Sequence, residues 1–75
     1  MRENSSLLGS LGFSVKWFRR QRGLSQEKLG ELASLHRTYI ADVERGSRNV
    51  SLLSMYRLAD GLGVPVSEFF VPLAA

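Results

Sequence analysis

At 75 residues the chain has room for one domain, and it contains no cysteine for a disulfide or a thiolate zinc site. An apolar share of 44% excludes a chain that is disordered throughout, and no apolar run approaches the ~18 residues of a membrane span. The net charge is +3, and residues 16–48 carry eight basic and four acidic side chains, which suggests a polyanionic partner, although many solvated surfaces have a similar charge.

The N-terminal part predicts a polar tail followed by a first helix. Residues 1–5 lack the long apolar stretch of a signal peptide, so a cytoplasmic protein is expected. Ser6 is a candidate N-cap, and the basic cluster 19–22 suits the negative end of the helix before Gly23 ends it. Its apolar residues recur at helical steps and are Leu7, Leu8, Leu11, Val15 and Phe18.

Two short helices are predicted next, from Gln26 to Ala33 and from about His36 to Arg45. Ser25 can cap the first of them through its hydroxyl, and Gly46 ends the second. Only a few residues connect the pair, which is the spacing of a helix-turn-helix. In this motif the first helix lies across the phosphate backbone, and the second places its N-terminal side chains against base edges in the major groove.

The C-terminal part predicts two more helices. Ser51 can cap a fourth helix that Gly63 ends, and Pro65 can open a short fifth helix that Pro72 limits. The apolar stripe of the fourth helix comprises Leu52, Met55, Leu58, Ala59 and Leu62. The sequence therefore predicts an all-α fold, a compact bundle of five helices in a single domain over residues 1–75.

Four separated segments carry a family pattern. They comprise Gly12, Val15, Phe18 and Arg19; the run from Gly23 to Leu29 (GLSQEKL); Ile40 with the run from Val43 to Gly46 (VERG); and the run from Leu62 to Val64 (LGV). In order and spacing they resemble the Cro/cI-type (XRE) helix-turn-helix family over roughly residues 11–70. Within that family, the run from Leu35 to Ile40 (LHRTYI) and the run from Glu44 to Asn49 (ERGSRN) resemble the controller proteins of restriction-modification systems.

This resemblance implies a fold of lambda-repressor-like type and a regulator that binds a pseudo-palindromic operator as a dimer and regulates its own operon. It also implies an ion pair between Arg19 and Glu44 that links the first helix to the end of the third. The sequence departs from the family at two positions, with Gly30 in place of the usual alanine and Ser34 in place of the usual glycine. Ser34 then needs either a left-handed conformation or a different turn.

Base reading is expected from His36, Arg37 and Thr38 at the start of the third helix. Arg37 can donate two hydrogen bonds to guanine O6 and N7, although an exposed surface arginine is the alternative. Thr38 can offer its hydroxyl to a base and its methyl group to thymine, or it simply starts the helix. His36 is the only histidine, which disfavours an all-histidine metal site and leaves a DNA-edge or capping role.

Contacts to the DNA backbone are expected from residues near the predicted helix starts. Gln26 can bond a phosphate with help from the helix dipole, or it is an ordinary polar N-terminus. Tyr39 can contact a phosphate or a thymine methyl group, or it belongs to the core. The expected backbone set is Ser25, Gln26, Tyr39, Arg48, Asn49 and Ser51.

The C-terminal segment 64–75 is more apolar than a short fifth helix requires, so part of it is expected to join two copies in a homodimer. The alternative is a monomer in which these residues cover the core. The expected interface residues are Val64, Val66, Phe69, Phe70, Val71 and Leu73.

The leading functional interpretation is a transcription regulator that binds double-stranded DNA and uses no cofactor or metal. Glu27 and Glu31 are candidates for a contact with RNA polymerase, but a solvated helix face is the simpler interpretation. A second class is an antitoxin or other protein-interaction module that binds DNA secondarily, which an exposed C-terminal apolar patch also fits. An enzyme is disfavoured, since no phosphate-binding glycine loop and no clustered ligand set are present.

Overall fold

The computed structural model describes the backbone of residues 2–70 and the side chains of residues 6–70. This part of the chain contains no strand, and its helices are α1 (Arg2–Gln21), α2 (Gln26–Ala33), α3 (Arg37–Glu44) and α4 (Leu52–Leu62). The all-α prediction is confirmed, but the predicted fifth helix is a 3-10 turn, Val66–Phe70. The amide of Glu68 donates to the carbonyl oxygen of Pro65 at 3.0 Å, the i to i+3 bond of a short 3-10 segment.

The start of α1 differs from the prediction. The helix begins at Arg2, so Ser6 is not its N-cap and residues 2–5 are not a tail. These residues are polar, but none of them is glycine or proline, and nothing in them breaks a helix. Leu7, predicted as part of the apolar stripe, is exposed, and the buried side of α1 begins at Leu11.

The core lies where α2 packs against α3 and α4 and α1 packs against α3. The close approach of α1 to α3 depends on Gly12, because a Cβ there would collide with the backbone carbonyl oxygens of Val43 and Glu44. None of the helices in residues 2–70 has the length and apolar character needed to cross a membrane. The buried apolar residues are Leu11, Val15, Phe18, Leu29, Ala33, Ile40, Val43, Leu58, Ala59, Leu62 and Phe69.

Candidate nucleic-acid interface

Three residues, 34–36, join α2 to α3. Ser34 has φ 58° and ψ 41°, so the chain takes the left-handed conformation rather than a different turn. The amide of Leu35 donates to the carbonyl oxygen of Gly30 at 2.8 Å, and a Cβ on Gly30 would lie 2.5 Å from the Leu35 carbonyl oxygen. Glycine at position 30 therefore leaves room for the turn to fold back on α2, and Ser34 adopts the left-handed conformation that glycine takes more readily.

His36 is the N-cap of α3 and precedes its first helical residue. Its Nδ1 accepts a hydrogen bond from the backbone amide of Thr38 at 3.0 Å. A ring nitrogen that accepts a hydrogen bond carries no proton, so the neutral imidazole holds its proton on Nε2. The expected capping role is confirmed, and the exposed ring keeps a donor for a base or phosphate acceptor, which remains a prediction.

Arg37 and Thr38 are exposed in the first turn of α3. Arg37 forms no ion pair with any residue in the described part of the chain. Tyr39 is half-buried and packs against the core, while its ring lies 4.7 Å from the guanidinium carbon of Arg48. The ring therefore belongs to the margin of the core, and its contact with DNA remains a prediction.

The starts of α2 and α4 are capped by serines from the expected backbone set. The Ser25 hydroxyl oxygen accepts from the Lys28 amide at 2.9 Å, and the Ser51 hydroxyl oxygen accepts from the Ser54 amide at 3.1 Å. The Ser51 hydroxyl also donates to the Ser54 hydroxyl oxygen at 3.1 Å, so a contact with DNA there would use backbone groups. Asn49 lies exposed in the loop before this cap.

Arg19 and Glu44 form the ion pair that the family resemblance implies. Arg19 Nε donates to Glu44 Oε2 at 2.6 Å, and Arg19 Nη2 donates to Oε1 at 2.9 Å. Their side chains are only 11% and 3% exposed, and Arg19 Nη1 also donates to the carbonyl oxygen of Leu24 at 2.8 Å. The hydrogen bond to Glu44 raises the pKa of Arg19, although burial opposes that shift. The two hydrogen bonds of this ion pair connect α1 to the end of α3.

Gln26 joins this ion pair from the start of α2. Its Nε2 donates to Glu44 Oε1 at 3.1 Å, and one amide hydrogen is used by that bond. The second amide hydrogen remains for another acceptor, because a side-chain amide nitrogen carries two donors. Gln26 is therefore a structural link between α2 and α3, and its predicted phosphate contact depends on the remaining donor.

Sequence reasoning missed the role of Asp42. Its carboxylate accepts hydrogen bonds from Arg45 and Arg48, the latter at 3.1 Å. The signal was present, since an arginine three residues after an aspartate can meet it across one helical turn. Arg48, predicted as a phosphate contact, is thus held by Asp42 and Tyr39 in this structure.

A helix-turn-helix family model matches residues 15–69, more than half of the chain. The chain belongs to the helix-turn-helix family. This helix-turn-helix protein is 46% identical over 58 residues to control protein C.SmaI of Serratia marcescens, across 77% of this chain and 69% of that one. It is 40% identical over 60 residues to control protein C.MunI of a Mycoplasma species, across 79% and 81% of the two chains.

Solved structures of controller proteins are also similar to this chain. The crystal structure of the restriction-modification controller protein C.AhdI from Aeromonas hydrophila matches this helix-turn-helix protein with a TM-score of 0.82 at 43% identity, covering 84% of this chain and 96% of that one. The resemblance to controller proteins predicted from the sequence is confirmed. Membership of this family makes the chain a DNA-binding transcription regulator.

The predicted dimer residues of this helix-turn-helix protein separate into different environments. Phe69 is only 4% exposed and packs its ring against Phe18, so it cannot offer a surface to a second copy. Val64 and Val66 are half-buried against the core, and Phe70 is 68% exposed. The remaining two predicted residues, Val71 and Leu73, lie outside the residues that the structure describes.

Sequence reasoning also missed an exposed apolar face on α4. Leu52 was predicted to lie in the apolar stripe, but it is exposed, together with Leu53 and Tyr56. A count of helical steps could not have found this for Leu52, because position 52 lies seven residues, or about two turns, before the buried Ala59. Leu52 is exposed at the first residue of α4. Three exposed large apolar side chains within five residues mark a candidate contact surface.

Proposed function

We propose that this chain is a restriction-modification controller, which binds a pseudo-palindromic operator as a homodimer in the cytoplasm and regulates its own operon. The observation that carries the proposal is the start of α3, where Arg37 is exposed and has no ion pair in the described part of the chain. The match to the controller proteins supports the restriction-modification assignment.

In the proposed complex, α3 is the recognition helix and enters the major groove with its first turn. Arg37 donates two hydrogen bonds to a guanine, and Thr38 contacts a neighbouring base. His36 presents Nε2–H to an acceptor, since its other ring nitrogen is engaged in the cap. Ser25, Gln26, Tyr39, Arg48 and Asn49, with the backbone at Ser51, contact phosphates and position the helix without reading sequence.

The proposed homodimer places two recognition helices on half-sites one DNA turn apart. We infer that its interface combines the exposed α4 residues with Phe70 rather than Phe69. Sedimentation equilibrium at micromolar concentrations should give a dimer for the wild type and a weaker dimer for Leu53→Ser. The control is Leu7→Ser, which replaces an exposed leucine on α1 and should leave the dimer unchanged. A concentration-independent monomer for the wild type contradicts this interface.

The decisive experiment is selection of bound duplexes from a random DNA library at ~0.15 M salt, which suppresses weak phosphate-only binding. The expected result is a symmetric motif whose enrichment is lost in Arg37→Ala, while Arg20→Ala, an exposed arginine on α1, retains it. If folded protein enriches no motif, the proposed operator binding is wrong, and the protein-interaction module of the antitoxin type becomes the better interpretation.

RNA polymerase is a further partner in this proposal. Glu27 and Glu31 are exposed on α2 and line, with Arg37, an open groove of about 460 Å³. An acidic edge beside the recognition helix would face a protein that binds the adjacent DNA. Transcription from the operon promoter should lose activation, at unchanged operator occupancy, when both glutamates are replaced by glutamine; unchanged activation removes this contact from the proposal.

A further inference from the structure

Asp42 is an acidic residue on the outward side of α3. It follows Thr38 by four positions, and side chains at that spacing lie on one face of a helix. A carboxylate on a surface that meets phosphate is repelled by it. Its position in the last turn of α3 is also unfavourable toward the helix dipole, so the carboxylate without its partners does not stabilise this helix end. The role of Asp42 therefore depends on the groups that its carboxylate binds.

Each oxygen of the Asp42 carboxylate is bound to a different arginine. Arg45 Nη2 donates to Oδ1, and Arg48 Nη2 donates to Oδ2 at 3.1 Å. The Asp42 carbonyl oxygen also accepts from the Ser47 amide at 3.0 Å and from the Ser47 hydroxyl at 3.1 Å, which fastens the following loop. The Tyr39 ring holds Arg48 from a second direction. We call Asp42, Arg45 and Arg48 the Asp42 cluster.

We propose that Asp42 determines DNA specificity by restraining Arg45 and Arg48, which lowers binding to unrelated DNA more than binding to the operator. The inference rests on the proposed function, in which the outward face of α3 meets DNA. Non-specific affinity comes almost entirely from basic side chains on phosphates. In the Asp42 cluster a phosphate has to compete with a carboxylate for both arginines. Arg37 has no such competitor in the described residues, so base recognition is not weakened in the same way.

The test uses Asp42→Asn, which removes the charge with little change in shape and keeps one acceptor oxygen. The matched control is Asp60→Asn, the same chemical change at an exposed residue of α4. Wild type and variants are titrated with an unrelated duplex and with the selected operator duplex between ~0.05 and ~0.2 M salt, where phosphate contacts dominate the change in affinity. Thermal melting and sedimentation on the same samples verify fold and oligomeric state.

For Asp42→Asn we expect the slope of log K against log salt on the unrelated duplex to steepen by about 1–2, since each additional phosphate that a basic side chain neutralises adds about 0.9. Affinity for the unrelated duplex rises more than affinity for the operator, so the specificity ratio falls by about threefold or more. Asp60→Asn changes neither quantity to this extent. Adding Arg48→Ala to Asp42→Asn returns the slope toward the wild-type value, because one released arginine is removed.

Two results overturn the inference. If Asp42→Asn changes the slope on unrelated DNA no more than Asp60→Asn does, the carboxylate does not restrain the arginines. If Asp42→Asn weakens binding to both duplexes, the carboxylate orients the arginines for phosphate instead. The titrations with unrelated DNA require no operator, so they show whether Asp42 restrains the arginines even where selection finds no symmetric motif, which would be the failure of the proposed function alone.

Discussion

Two arginine–carboxylate groups at the end of α3 use the same chemistry in opposite surroundings. Arg19 and Glu44 face inward, with side chains 11% and 3% exposed. Arg45 and Asp42 face outward, with side chains 63% and 22% exposed. A buried charge that loses its partner is stabilised neither by an opposite charge nor by water. An exposed charge that loses its partner is still solvated by water. The inward pair should therefore determine stability, and the outward group should determine how the surface meets DNA.

The largest expected effect comes from breaking the inward pair. Arg19→Ala should lower the free energy of unfolding by ~3–5 kcal/mol, because it leaves Glu44 buried and charged without its main partner. For a small domain this is a large fraction of the total stability. Chemical denaturation of the variant and the wild type, followed by circular dichroism, measures the difference.

A double-mutant cycle sharpens the same prediction. Arg19→Ala with Glu44→Ala should lose less stability than the sum of the two single variants by ~1 kcal/mol or more, since the second change removes the stranded charge. Additive losses would mean that Arg19 and Glu44 do not act as a pair. An unchanged unfolding midpoint together with lost DNA binding would mean that Arg19 belongs to the DNA surface.

The second effect concerns the outward side. Arg37→Ala should weaken binding to the selected operator by ~1–3 kcal/mol and relax selection at one base position in each half-site, because it removes a bidentate base contact. Its unfolding midpoint should match the wild type, since Arg37 is exposed. Fluorescence anisotropy on operator and single-base variants measures this; equal losses on every sequence would make Arg37 a phosphate contact instead.

The bounds and caps of the helices were more predictable from sequence than the side-chain contacts of the DNA-facing surface. The bounds of α2, the caps at Ser25 and Ser51 and the α4 end before Gly63 follow from local rules, in which a hydroxyl satisfies free amides and glycine adopts a left-handed conformation. The start of α1 did not follow, because Ser6 fits a cap but residues 2–5 are equally able to extend the helix.

The candidate site was predictable in its location but not in its internal contacts. Spacing placed His36, Arg37 and Thr38 at an exposed helix start, as found. Spacing alone does not show that Arg48, in the following loop, turns back to Asp42, or that Gln26 bonds Glu44 from another helix. Phe69 and Phe70 illustrate the same limit, because which of two adjacent aromatic rings is buried depends on the position of α1.

A third, smaller effect tests the N-cap of α3, which is His36. His36→Ala should lower the free energy of unfolding by ~1 kcal/mol, since the Thr38 amide loses its side-chain acceptor. His36→Asn should recover most of that stability, because its amide oxygen can cap the same group. Thermal melting compares the three proteins. Equal melting temperatures for alanine and wild type would contradict the capping role.

The smallest expected effect completes the comparison. Arg45→Ala should change the free energy of unfolding by less than ~0.5 kcal/mol, since an exposed ion pair on one helix contributes little and water replaces its hydrogen bond to Asp42. Denaturation alongside Arg19→Ala measures both changes under identical conditions. A loss from Arg45→Ala close to that from Arg19→Ala would mean that the Asp42 cluster holds α3 and its loop together, and the division between an inward structural pair and an outward DNA-facing group would not hold.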